Sequence, residues 1–149
     1  MNGSRYFHSV ILCAAVGAVA SGLALLHHFQ FERLVSSFCN INASFNCDLV
    51  NRSAYSTFAG IPVALIGLVA YILMAGLAVF QKKKPETPAL LLLLSITGFA
   101  VSLYLTYVEA AVLHTWCALC LTSLLTITLI TLFSALRVRA DLRQERSRS

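Results

Sequence analysis

Charged residues punctuate this chain rarely, and the stretches between them are apolar. Residues 6–31, 53–81, 87–108 and 110–136 contain no Asp, Glu, Lys or Arg. Each exceeds the roughly 20 apolar residues with which a helix crosses about 30 Å of hydrocarbon. The pattern predicts four membrane-spanning helices, at 7–29, 60–80, 88–113 and 117–136. They account for nearly the whole chain, as one all-α membrane domain with an outer loop at 30–59 and a tail at 137–149. The first stretch follows Arg5 in the manner of a signal peptide. Its uncharged run is about twice the usual length, however, and no small-residue cleavage site stands out before His27 and His28. It reads as a helix.

Composition strengthens this picture. Of 149 residues, 58% are hydrophobic and 11% charged, with a mean hydropathy of +0.80. Soluble domains carry about 25% charged residues. The net charge of +5 suggests no nucleic-acid partner, because the basic residues sit where orientation signals belong. Arg5, Lys82, Lys83, Lys84, Arg137, Arg139, Arg143, Arg146 and Arg148 fall on one side of the predicted spans, and only Arg33 and Arg52 on the other. Both termini are therefore expected in the cytoplasm. The basic tail reads as a disordered topogenic anchor rather than a partner-binding segment.

This topology gathers four of the five cysteines at the outer face. Cys39 and Cys47 lie in the loop between the first two helices, and Cys117 and Cys120 open the fourth. Disulfides persist on that side of a membrane and rarely in the cytosol. The motif Cys117-Ala118-Leu119-Cys120 places its sulfurs on one helix face, with the first at the positive end of the helix dipole. Such a setting favours a thiolate, the attacking species in disulfide exchange. The segment between Cys39 and Cys47 is polar, with three Asn and one Ser, and predicts no regular structure; residues 31–38 suit a short interfacial helix. The pair reads as a mobile shuttle or as a structural staple, which in so small a ring would contribute about 2.5 kcal/mol. A zinc site from the four cysteines is disfavoured, because structural sites space each half as C-x₂₋₄-C. No metal is expected.

These residues resemble the vitamin K epoxide reductase family, specifically its short bacterial members that serve disulfide-bond formation. The carriers are Cys39/Cys47, Ser53 six residues on, the segment Phe58-Ala59-Gly60-Ile61-Pro62-Val63-Ala64, and the Cys117/Cys120 motif. The resemblance covers about residues 10–135 and implies a four-helix bundle around a quinone (ubiquinone, menaquinone or a relative), capped by the outer loop. It implies that Cys39 exchanges with a separate thioredoxin-like partner, that Cys47 relays to Cys117, and that Cys120 faces the quinone. Ser53 would lie beside the active-site pair. Vertebrate members carry a tyrosine where this chain has Leu124, and a vitamin K-binding asparagine near the position of Ser56 or Thr57. Epoxide reduction and anticoagulant binding are thus not expected. Ser53, Ser56, Trp116 and Leu124 are the candidate quinone contacts.

Several residues carry two readings. Trp116 suits a wall of the quinone pocket or the interfacial aromatic belt. Glu109, the only acid within a predicted span, is a candidate proton relay, although its place near the outer end of the third helix also permits snorkelling to water. Gly60-Ile61-Pro62 is expected to open the second helix, since Pro is tolerated in a first turn. Cys13 reads as a small buried hydrophobe. His8, His27 and His28 look interfacial. Gly17, Ser21 and Gly22, with the Thr and Ser residues of the fourth helix, offer small packing sites. A vitamin K quinone or epoxide reductase with the same site, and a disulfide-stapled scaffold or small transporter, are the rival functions.

Overall fold

The computed structural model describes residues 3–29, 46–80, 84 and 86–147. Four helices are long and apolar enough to cross a membrane. They are α1 (Gly3–His28), α3 (Val63–Phe80), α4 (Thr87–Val108, continued by a π-helical turn Glu109–Leu113) and α5 (Ala118–Arg146). Between α1 and α3 lie a short helix α2 (Cys47–Asn51), a 3₁₀ turn (Ala54–Ser56) and two strands, β1 (Thr57–Phe58) and β2 (Ile61–Pro62). In hydrocarbon every backbone N–H and C=O must be satisfied internally, so such long apolar segments close into helices. Pro88 sits in the first turn of α4, where its missing N–H costs nothing. The chain is a multi-pass membrane protein.

The bundle is tight on three seams and loose on one. Helix α1 packs along both α3 and α5, and α4 packs along α5, while α3 and α4 touch much less. Small side chains set the close seams. The Tyr71 ring of α3 lies against Gly17 of α1, where a Cβ would collide with it. The Tyr71 hydroxyl donates to the Ser123 carbonyl oxygen at 2.8 Å and lies 3.1 Å from Thr126 Oγ1, so one tyrosine bridges α3 to α5 across α1. Ser21 Oγ stands 3.1 Å from where a Cβ on Gly67 would sit. Near the chain's N-terminus the Tyr6 and Ser134 hydroxyls meet at 3.0 Å. Tyr6, Val10, Ala14, Met74, Ala78, Leu91 and Ile130 close that end of the bundle.

Three elements differ from the sequence expectation. Helix α3 begins at Val63, not at Gly60, because residues 57–62 form a hairpin in which Phe58 pairs with Ile61. Both central residues of its turn, Ala59 (φ 51°) and Gly60 (φ 81°), are left-handed, as the tight hairpin turn requires. Helix α5 does not stop at 136: it runs to Arg146, so most of the tail expected to be disordered is helical. Residues 137–146 contain no Gly or Pro, and Arg137 and Asp141 form an i,i+4 pair at 3.3 Å. The regular part of α4 ends at Val108 and the span is completed by the π turn. The expected helix at 31–38 lies outside the described residues.

The Gly17 contact yields a prediction. Gly17→Ala should destabilise the protein by about 1–3 kcal/mol, through overpacking against Tyr71. Thermal unfolding in detergent measures it, and an unchanged midpoint would contradict the packing described.

Candidate functional site

The short helix α2 is fixed at both ends. The Asn46 side chain caps it, accepting the Leu49 N–H at 3.0 Å, and the Asn46 N–H donates to the Trp116 carbonyl at 3.2 Å. The second bond ties the chain before α2 to the chain before α5. At the other end, His28 Nδ1 lies 2.7 Å from the Asn51 carbonyl oxygen, anchoring α2 to the end of α1. His28 is thus a structural partner of the loop rather than only an interfacial residue. The Asn51 side chain is buried; its Nδ2 donates to the Cys47 carbonyl at 2.9 Å and lies 3.8 Å from Cys117 Sγ.

This framework brings sulfur against sulfur. Cys47 and Cys117 are both fully buried, with their Sγ atoms 3.4 Å apart. Cys47 is disulfide-bonded, whereas Cys117 and Cys120 are free thiols. Cys39 lies outside the described residues. Cys13 is also free and packs beside the apolar cluster between α1 and its neighbours, far along α1 from the other sulfurs.

Cys117 stands at the N-cap of α5. Its sulfur accepts the N–H of Cys120 at 3.3 Å, as a capping serine oxygen accepts the third amide of a helix. Its own N–H is taken by Glu109 Oε2 at 3.0 Å, so the reciprocal half of the cap comes from the end of α4. Hydrogen bonding from the Cys120 thiol, and then from the Cys120 amide, holds the Cys117 thiol below its ordinary value, against the burial that pushes it up.

Glu109 is 1% exposed, so it does not snorkel. Glu109 opens the π turn, which closes where the Thr115 N–H bonds the Glu109 carbonyl at 3.1 Å and His114 turns the chain with φ 49°. Its Oε1 has no hydrogen-bond partner among the described residues. A donor atom each of Glu109, Cys117 and Cys120 lies within 4.8 Å of the others. The trio has donors that a soft divalent cation would accept, and among the described residues no fourth ligand of a structural zinc site joins it.

A cavity of about 290 Å³ opens beside these groups. Its walls come from α1, α3, α4 and α5, and Cys120, Glu109, Asn51, Ser53 and Ser56 line it amid apolar side chains. Its volume is near the lower end of the roughly 300–1,000 Å³ of small-molecule sites. An apolar chamber with a few polar atoms among its walls fits a flat carbonyl-bearing ring such as a quinone. Ser53 and Ser56 line it, with the Ser53 hydroxyl donating to the Val50 carbonyl at 2.8 Å and the Ser56 hydroxyl to the Ser53 carbonyl at 2.7 Å. Trp116 and Leu124 are not among the lining residues; Trp116 is 36% exposed and contributes its carbonyl to Asn46 instead. Asn51 and His28 escaped the sequence reading. The Asn46/Asp48 pair flanking Cys47 was the available signal for a capped helix there.

The sulfur contact is directly testable. In protein carrying Cys39→Ser and Cys120→Ser, mild oxidation should link Cys47 to Cys117, read by mass spectrometry of the joined peptides. Adding Asn51→Leu, which removes two of the contacts holding the pair, should cost about 1 kcal/mol and lower the yield. No 47–117 link under oxidising conditions would contradict the geometry.

Family comparison agrees with the motif reading. The vitamin K epoxide reductase family model matches residues 9–135, most of the chain and all of the elements that build the site. Quinone-linked redox and disulfide chemistry is the general province of that family, and this chain belongs to it.

Proposed function

We propose that this protein reoxidises a thioredoxin-like extracytoplasmic partner and passes the electrons to a membrane quinone. The observation that carries the reading is a disulfide-bonded Cys47 held 3.4 Å from the free Cys117 thiol, whose motif partner Cys120 lines an apolar cavity. The partner's thiolate attacks the Cys39–Cys47 bond at Cys39, and the partner's second thiol resolves the mixed disulfide. The freed Cys47 thiolate attacks Cys117 of the Cys117–Cys120 bond, releasing Cys120. Cys39 then closes on Cys47, leaving Cys117 and Cys120 reduced. Each step is thiolate attack on a disulfide. A bonded Cys47 beside free Cys117 and Cys120 thiols supports that order of exchange.

Quinone supplies the two-electron acceptor. The chain's own residues supply its apolar chamber and bring Cys120 to the wall. The excess of basic residues on one side supports placement in the cytoplasmic membrane with both termini inside, so that the relay meets the oxidising compartment. A stapled scaffold would have no use for a buried dithiol pressed against a disulfide.

Purified protein, a reduced thioredoxin-like partner and ubiquinone or menaquinone test the scheme, with quinol formation followed spectrally. Cys47→Ala and Cys117→Ala should abolish partner oxidation, whereas Cys39→Ala should still reduce quinone when supplied with a small dithiol. Equal activity of the three variants would overturn the relay.

A further inference from the structure

We propose that Glu109 is the proton acceptor for the Cys120 thiol and carries that proton toward the acceptor in the cavity. This rests on the quinone-linked reading above and deepens it. The net step is balanced. The Cys117 and Cys120 thiols become one S–S bond, and their two electrons and two protons leave together to give the quinol. The electrons need only a short path from Cys120 into the cavity. The protons need a carrier into the cavity: Cys117 is fully buried, and Cys120, half-buried, opens on an apolar chamber.

Four titratable side chains line the cavity: Glu109, Cys120, Tyr55 and Tyr71. No Lys, Arg or His is among its described lining residues. The Tyr71 hydroxyl is committed to Ser123 and Thr126 on α5. Tyr55 belongs to the 3₁₀ turn after α2. Helix α1 contributes only Ala20, Ser21 and Ala24, and its His28 is bonded to the Asn51 carbonyl. Cys47 approaches from α2 behind Cys117. Among the described residues, Glu109 is therefore the one carboxylate within reach of the reacting thiols.

Its two oxygens are differently engaged. Oε2 is occupied by the Cys117 amide, which holds the carboxylate in place; the Cys120 thiol faces the carboxylate, and Oε1 is buried with no other partner among the described residues. An unsatisfied buried oxygen is destabilising. A proton delivered from Cys120 would satisfy it, and an arriving carbonyl oxygen would draw the proton off. The π turn that Glu109 opens is the kind of helix distortion that gathers at functional sites.

Glu109→Gln tests this, since the amide keeps an acceptor for the Cys117 N–H but cannot take up a proton. Two readouts are needed. In single turnover, the chemically reduced variant should form quinol roughly 10²-fold more slowly than wild type. In infrared difference spectra taken without quinone, chemical reduction of the Cys117–Cys120 pair should produce a carboxylic C=O band in wild type that the variant lacks. A wild-type rate in Glu109→Gln, or no such band in wild type, overturns the proposal. So does a slow variant that has also lost the Cys47–Cys117 cross-link, because Glu109 would then be only a cap. Should wild type form no quinol at all, the quinone-linked reading fails, and the infrared band still decides for or against Glu109.

Discussion

The contact between Cys47 and Cys117 is the constraint around which the rest of the molecule is arranged. Two sulfurs 3.4 Å apart in a buried setting stay there only if both backbones are pinned. The pins are ordinary helix caps turned to this use. Asn46 caps α2 and borrows the Trp116 carbonyl, Cys117 caps α5 with its sulfur, and Glu109 satisfies the Cys117 amide from α4. Each such bond is worth on the order of 1 kcal/mol, so none alone fixes the site. Together they join all three chain segments that meet the sulfurs. A capping serine in place of Cys117 would hold the helix as well; only sulfur also gives the cap a redox role.

Bundle packing then decides where the second sulfur of the motif can deliver electrons. Helix α1 lies close to α3 because Gly17, Ser21 and Gly67 leave no bulk between them. The Tyr71 hydroxyl completes the clamp from α3 to α5. The looser α3–α4 seam leaves the cavity, and Cys120, three residues beyond the cap, reaches it while Cys117 does not. One turn of helix thus separates the sulfur that faces the loop from the sulfur that faces the chamber. Stability and chemistry share the same geometry.

Much of this was legible in the sequence, and the limits were physical. Charge-free stretches marked the four spans because hydrocarbon excludes Asp, Glu, Lys and Arg regardless of fold detail. The ends were harder. Nothing in Phe58-Ala59-Gly60-Ile61-Pro62 forbade a helix start, and a hairpin of two-residue strands with a left-handed alanine leaves almost no periodic trace. The extension of α5 to Arg146 was hidden by its charges, which mark the end of hydrocarbon but not of helix. Motif spacing picked out the cysteines. It did not pick out Asn51 or His28, which act through backbone carbonyls and one sulfur contact that no spacing encodes. Glu109 was visible as a lone acid, but only tertiary contact reveals which way it faces.

The placement of Trp116 and Leu124 away from the cavity sharpens what the chamber can discriminate. Its described polar lining is Ser21, Asn51, Ser53, Tyr55, Ser56, Tyr71, Thr97, Ser102, Glu109, Cys120 and Ser123, and the hydroxyls of Ser53, Ser56, Tyr71 and Thr97 donate to nearby carbonyls. Those hydroxyls retain lone pairs but have committed their protons, so they cannot also donate to a ring oxygen. On the proposed reading, recognition of the acceptor rests mostly on shape and apolar contact. Such a site tolerates variation among lipid-soluble quinones, since a methyl or methylene in an apolar pocket shifts affinity by only about 1–3 kcal/mol. Selectivity for the electron donor would then reside at the other sulfur pair, in the loop, where a protein partner must fit before any thiolate can attack.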